Sequence, residues 1–136
     1  MTDSAGRTID VLAAEEDAYK ASLRDPVKKQ ATYVLEALGS RRAAAALGLH
    51  DARPLRGWAD GRPVKEAAVR DRLRILYRCT HALTEVYSAE TAAAFWQSSN
   101  PYLADRSPLA VLAESKPGAD RAEGDILAAL RALMEG

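Results

Sequence analysis

Arg53 and Arg56 stand three residues apart within 40–61, SRRAAAALGLHDARPLRGWADG. A guanidinium is a rigid fork of donors that pairs with the O6 and N7 acceptors of guanine, so two on one helix face make a candidate base reader. Arg41 and Arg42 open the preceding helix, where guanidinium groups and free amides together favour phosphate. Arg62 and Lys65 follow and can reach the backbone from the far end. Arg70, Arg74 and Arg78 recur every four residues beyond them. That row either extends the cationic surface or forms an ordinary solvated helix face.

Other reactive side chains lack company. His81 and Glu85, at i and i+4, share a helix face suited to a metal, but a third ligand is missing because Cys79 points elsewhere on the helix. The pair reads as solvated. His50 falls between the two short helices and suits a capping or phosphate contact. Glu15 and Glu16 sit together on a helix surface. No phosphate-binding glycine loop, nucleophile elbow or Cys–His constellation occurs. The expectation is a chain that is not an enzyme and carries no cofactor or metal.

The elements that must position these groups are all helical. Ile9, Leu12, Ala13, Glu16, Tyr19 and Leu23 outline an amphipathic helix over 8–23 after a polar tail, with Val11 off the stripe. Asp25-Pro26 ends it and starts a helix over 27–38, where Ala31, Val34, Leu35 and Leu38 keep helical spacing and Gly39 is the stop. Ser40 is placed to cap a helix over 41–47, which Gly48 terminates. A further helix starts near Asp51. Pro54 fits it only if Asp51 or Ala52 is the cap, because the missing amide must belong to the first turn. Leu49 tucks beneath this pair, and Leu55 and Trp58, at i and i+3, pin its second member and turn Arg53 and Arg56 outward.

Gly61-Arg62-Pro63 breaks the chain before the longest periodic run, 64–87. There Val69, Leu73, Leu76, Tyr77, Thr80, Leu83 and Tyr87 lie along one stripe and predict a buried central helix. A helix over 91–96 follows a restart at Ser88 or Ala89. Asn100-Pro101 then breaks the chain and Ser107-Pro108 restarts it with a capping serine and a proline preset for the first turn. Residues 95–112 read either as a corner whose Trp96 plugs the core beneath Leu109 and Leu112, or as a docking surface. Asp120 can cap a last helix with Ile126, Leu127, Leu130 and Leu133 on its apolar face. No useful strand alternation appears, so an all-α fold is expected.

At 136 residues and 48% hydrophobic, the chain can bury a real core. No apolar run approaches the roughly 20 residues of a membrane span, and no signal peptide is visible. A lone cysteine suggests a reducing, cytoplasmic setting. The net charge of zero hides a basic middle: residues 41–78 hold 10 Lys and Arg against 4 Asp and Glu, between two acidic ends. Such a profile suits a nucleic-acid-binding segment inside a partner-binding frame, or arises by chance in a charged helical chain.

Trp96, Asn100, Pro101, Leu103, Ser107, Pro108, Leu109 and Leu112 spell W-x-x-x-N-P-x-L-x-x-x-S-P-L-x-x-L. Together with the preceding helix-turn-helix candidate and long helix, this pattern resembles Xre/MbcA/ParS-type antitoxins. The resemblance covers about residues 28–136 and is firmest over 64–112. It implies a helix-turn-helix DNA-binding module (26–63) and a helical toxin-binding domain (64–136) entered through a long central helix, which leaves an N-terminal helix and tail (1–25) as a third part. It further implies a homodimer that represses its own operon by binding operator DNA and inhibits a cognate protein toxin, often a RES-domain enzyme that consumes NAD. Carried onto this chain, partner contacts fall on Trp96, Asn100, Leu103, Ser107 and Leu109, and on Arg131, Met134, Glu135 and Gly136 at the C-terminal end. Ala104-Asp105 and Lys116-Pro117-Gly118 depart from the pattern, and the helix over 8–23 is an addition to it.

Two other readings stay open beside it. One is a stand-alone helix-turn-helix regulator whose C-terminal part serves only dimerisation. The other is a protein-interaction adaptor whose helix pair no longer binds DNA.

Overall fold

The structure, a computed structural model, describes residues 11–116, 118 and 120–136. The polar tail, the helix start at Thr8, Ile9 and Pro117 lie outside these residues. Among the described residues the chain is all-α, with eight helices and no strand. They are α1 (Val11–Arg24), α2 (Val27–Leu38), α3 (Ser40–Ala46), α4 (Arg53–Ala59), α5 (Ala67–Val86), α6 (Ala89–Gln97), α7 (Pro108–Ala113) and α8 (Ala122–Glu135). One 3-10 turn, Pro101–Leu103, sits between α6 and α7.

The axis of the molecule is α5. Val69, Leu73, Leu76, Tyr77, Thr80 and Leu83 are buried as their spacing predicts, and Ile75, Cys79 and Ala82 are buried beside them. A helix apolar over that much of its circumference must be covered on several sides. Here α1, α2, α6 and α8 supply the cover. The basic helix pair is not suspended from this spine. Its α3 also packs on α7, and α2 packs on α6.

Backbone punctuation is local and reads as expected. Gly39 and Gly48 carry φ of +83° and +74°. At Gly48 the need is double, since a Cβ there would also stand 3.1 Å from the Ala113 carbonyl oxygen. Ser88, Asn100 and Ser107 each accept a backbone amide at a helix or turn start. Ser40 does not. It is the first residue of α3, behind Gly39, and makes no side-chain cap bond. Asp120 stands one residue further out than expected: Arg121 is the N-cap, yet Asp120 Oδ1 still accepts the Ala122 amide.

The face of α1 is the largest correction. Leu12 and Leu23 point to solvent, at 78% and 63% exposure, and Tyr19, 44% exposed, lies against the Arg78 guanidinium 4.6 Å from its ring, while Ala14, Ala18, Ala21 and Ser22 face the core. Small residues let α1 lie close along α5, whose own surface is already bulky with Tyr77 and Arg78. The end of α1 is closed by Gln30, whose Nε2 donates to the carbonyls of Ser22 and Asp25. A smaller slip of the same kind occurs in α8, where Leu133 is exposed and Ala129 and Met134 are buried in its place.

Candidate functional site

Leu47, Leu55 and Trp58 bury one side of the α3–α4 pair, and Leu49 is half-buried beneath it. Ala52 is the N-cap of α4, so Pro54 falls in the first turn, where no intrahelical amide is lost. The result leaves Arg53 and Arg56 on the outer surface, both exposed. Two shallow grooves flank them. One is lined by Arg41, His50, Asp51 and Arg56 between the two helices. The other is lined by Arg53, Pro54, Trp58, Arg62 and Lys65. Gly57 makes the second possible: a Cβ there would stand 3.3 Å from Arg62 Cδ, which folds over it.

The cationic groups are not equivalent. Arg42 turns away and donates from Nη1 to the Leu38 carbonyl at 3.1 Å, closing the end of α2. Arg53 is held by Asp51. The carboxylate accepts the Arg53 backbone amide at 2.8 Å and receives Nε and Nη2 of the same residue, the latter at 2.8 Å. Those hydrogen bonds bring the Asp51 carboxyl down to about 2.

The arginine row on α5 divides. Arg70 is exposed, but Arg74 and Arg78 converge on Glu123 of α8, at 2.8 to 3.0 Å. They are therefore neither a solvated face nor part of the cationic surface; they tie α5 to α8. Arg72, to which sequence reasoning assigned no role, bridges two helix ends by donating to the carbonyls of Ser115 and Leu47. The only signal for it was its place one residue before the buried Leu73.

The corner after α6 behaves as a structural joint. Trp96 is fully buried and donates from Nε1 to Thr80 Oγ1 at 3.1 Å. Leu103 and Leu112 are buried too. Asn100 organises the turn: its side chain accepts the Tyr102 amide, and its backbone pairs with Leu103, Asp105 and Arg106. Ala104 and Asp105 adopt left-handed φ of 53° and 62°, a conformation that favours glycine. Arg106 pairs with Glu114 across it.

Trp96, Leu103 and Met134, expected as partner contacts, are therefore core residues with no surface to offer. Asn100 is committed largely to its own turn. Ser107 caps α7, and with the half-buried Leu109 it lines a groove shared with Arg41, Arg42 and Gln97. Arg131 donates from Nε to Glu15 of α1 at 2.6 Å, while Glu135 and Gly136 remain exposed. The exposed apolar group here is Tyr102, which sequence reasoning passed over.

His81 and Glu85 lie side by side, with Glu85 exposed and His81 half-buried. His81 stacks on Tyr33 and meets Tyr77 edge-on, with Glu85 Oε1 3.1 Å from its Nδ1. Among the described residues, no three His, Cys, Asp or Glu side chains gather where they would hold a metal ion. Cys79 is buried, which pushes its thiol up to about 12. No described helix is long and apolar enough to cross a membrane. Compared with family models, curated proteins and solved structures, the chain finds no match.

Proposed function

We propose that this chain is a cytoplasmic, homodimeric DNA-binding antitoxin. It represses its own operon through α3 and α4, a helix-turn-helix, and restrains a cognate toxin through its C-terminal helices. The observation that carries the reading is the division of α4. Leu55 and Trp58 anchor one face while Arg53 and Arg56 stand exposed on the other, with Arg41, Arg62 and Lys65 around them. That is the arrangement a recognition helix needs to put donors at base edges and cations at phosphates. The toxin half rests on the resemblance of residues 64–112, and its candidate, a RES-domain NAD-consuming enzyme, comes from that resemblance alone. The exposed groups available to a toxin are Tyr102, Leu133, Glu135 and Gly136, with Leu109 partly open.

The test has two arms. Titration of the duplex upstream of the gene across salt should show log K falling with log salt by roughly 0.9 per phosphate contact. Arg53→Ala with Arg56→Ala should lower affinity and relax sequence preference. Unchanged affinity and preference in that variant would remove α4 as the reader. For the second arm, the neighbouring gene product should co-purify with the chain and be lethal when expressed alone.

A second reading, a stand-alone regulator whose C-terminal part serves only dimerisation, gains support from the burial of Trp96, Leu103 and Met134, which leaves those expected toxin contacts in the core. It predicts DNA binding with no companion protein.

A further inference from the structure

We propose that Asp51 is a positioning residue that aims the Arg53 guanidinium at a guanine in duplex DNA and so sets base preference at one position. This rests on the DNA-binding reading above and adds to it a residue and a base.

The case begins with which donors are occupied. An arginine side chain carries five N–H groups in a planar fork. Asp51 takes the Nε–H and one Nη2–H, with Nη2 2.8 Å from Oδ2 and Nε 3.2 Å from each oxygen. The second Nη2–H and both Nη1–H remain, and the Nη2–H with the adjacent Nη1–H forms the end of the fork. Guanine offers N7 and O6 side by side in the major groove, two acceptors at the spacing that fork fits. Adenine offers one acceptor beside a donor, which faces a guanidinium badly.

The carboxylate is itself held in place. Its Oδ1 accepts the backbone amide of Arg53 at 2.8 Å, so the first turn of α4 fixes Asp51 and Asp51 then fixes the guanidinium. Arg53 is the first residue of α4, the end of a recognition helix that reaches base edges. Ordering this long side chain before DNA arrives removes an entropy cost from the binding step.

Charge separates this group from its neighbours. A phosphate approaching Arg53 would also approach the Asp51 anion, so the pair is a poor phosphate clamp. Neutral base acceptors meet no such repulsion. Among the described residues Arg41, Arg62 and Lys65 have no carboxylate paired with them, and they are the better phosphate ligands. Arg53 differs from these three in being built to read rather than to hold.

The experiment is selection from a randomised duplex library, run on the full chain as wild type, Asp51→Asn and Arg53→Ala, with thermal unfolding as the fold control. Asparagine keeps an acceptor for the Arg53 amide but loses the charge and the second oxygen; Asp51→Ser repeats the test with a hydroxyl acceptor. Wild type should select guanine at one position of each half-site. Asp51→Asn should lose that preference by roughly tenfold, at the same position that Arg53→Ala relaxes, while total affinity for DNA holds or rises because a negative charge has gone. Asp51→Asn with wild-type base preference and intact DNA binding would overturn the inference and leave the DNA-binding reading standing. Uniform weakening at every position would also overturn it, since that marks a purely structural role. Wild type that binds no duplex at low salt would overturn both.

Discussion

The Trp96 indole donates to the Thr80 hydroxyl at 3.1 Å with both side chains fully buried, so the hinge between α6 and α7 is anchored to the middle of α5. A buried N–H without a partner costs about 1–3 kcal/mol. Thr80→Val should therefore destabilise by that amount, and Trp96→Ala by about 3–5 kcal/mol through loss of packing. Urea unfolding followed by circular dichroism measures both. A Trp96 variant with unchanged stability but weakened partner binding would return the indole to the surface role that its burial denies.

Glu123 connects stability to pH. The hydrogen bonds of Arg74 come first in holding its carboxyl below the ordinary 4.5, with Arg78 adding to them. The folded state thus binds this proton less readily than the unfolded chain. Stability from the pair is complete above 4.5 and is lost as pH falls through the lower folded value. Asp25, held below 3.8 chiefly by the Tyr77 hydroxyl, acts in the same direction at slightly lower pH. Glu123→Gln should cost about 2 kcal/mol near neutrality, less than a fully buried pair would because its side chain is 29% exposed. It should also flatten the acid limb of a melting-temperature curve below about pH 5, where wild type declines.

On α1 the two faces should respond in opposite ways. Ala18 is fully buried where α1 meets α5. Ala18→Leu overfills that contact and should cost about 1–3 kcal/mol or more. Leu12→Ser and Leu23→Ser, on the exposed strip, should each move monomer stability by about 0.5 kcal/mol or less. If these leucine variants instead lower stability in a concentration-dependent way, the strip joins two copies, and sedimentation would show the dimer weakening.

Cys79 should be inert while the chain is folded. Its thiol is fully buried and held near 12, so thiolate is scarce at neutral pH. Labelling by a thiol reagent should run at the global unfolding rate and accelerate with denaturant. Fast labelling of native protein would show that α5 opens locally around this residue.

Where helices begin and end was legible in the sequence because caps and breakers act over a few residues. Gly39, Gly48, Asn100-Pro101 and Ser107-Pro108 all punctuate the chain as their chemistry requires. So were the central stripe of α5 and the split of α4 into an anchored and an exposed face, since each follows from helical periodicity alone. Which face of α1 is buried was not legible, because hydrophobicity favoured Leu12 and Leu23 while close approach to α5 favoured alanine. Nor was the fate of the arginines. Arg53 meets Asp51 two residues away, a local pairing, but Arg74 and Arg78 meet Glu123 across more than forty residues of chain. A side chain's partner at that separation depends on how helices pack. Local residue chemistry therefore set the helices and the basic character of the middle of the chain. Which cations are occupied in ion pairs and which apolar groups stay in water was left to packing, because both depend on what each helix face meets when the chain closes.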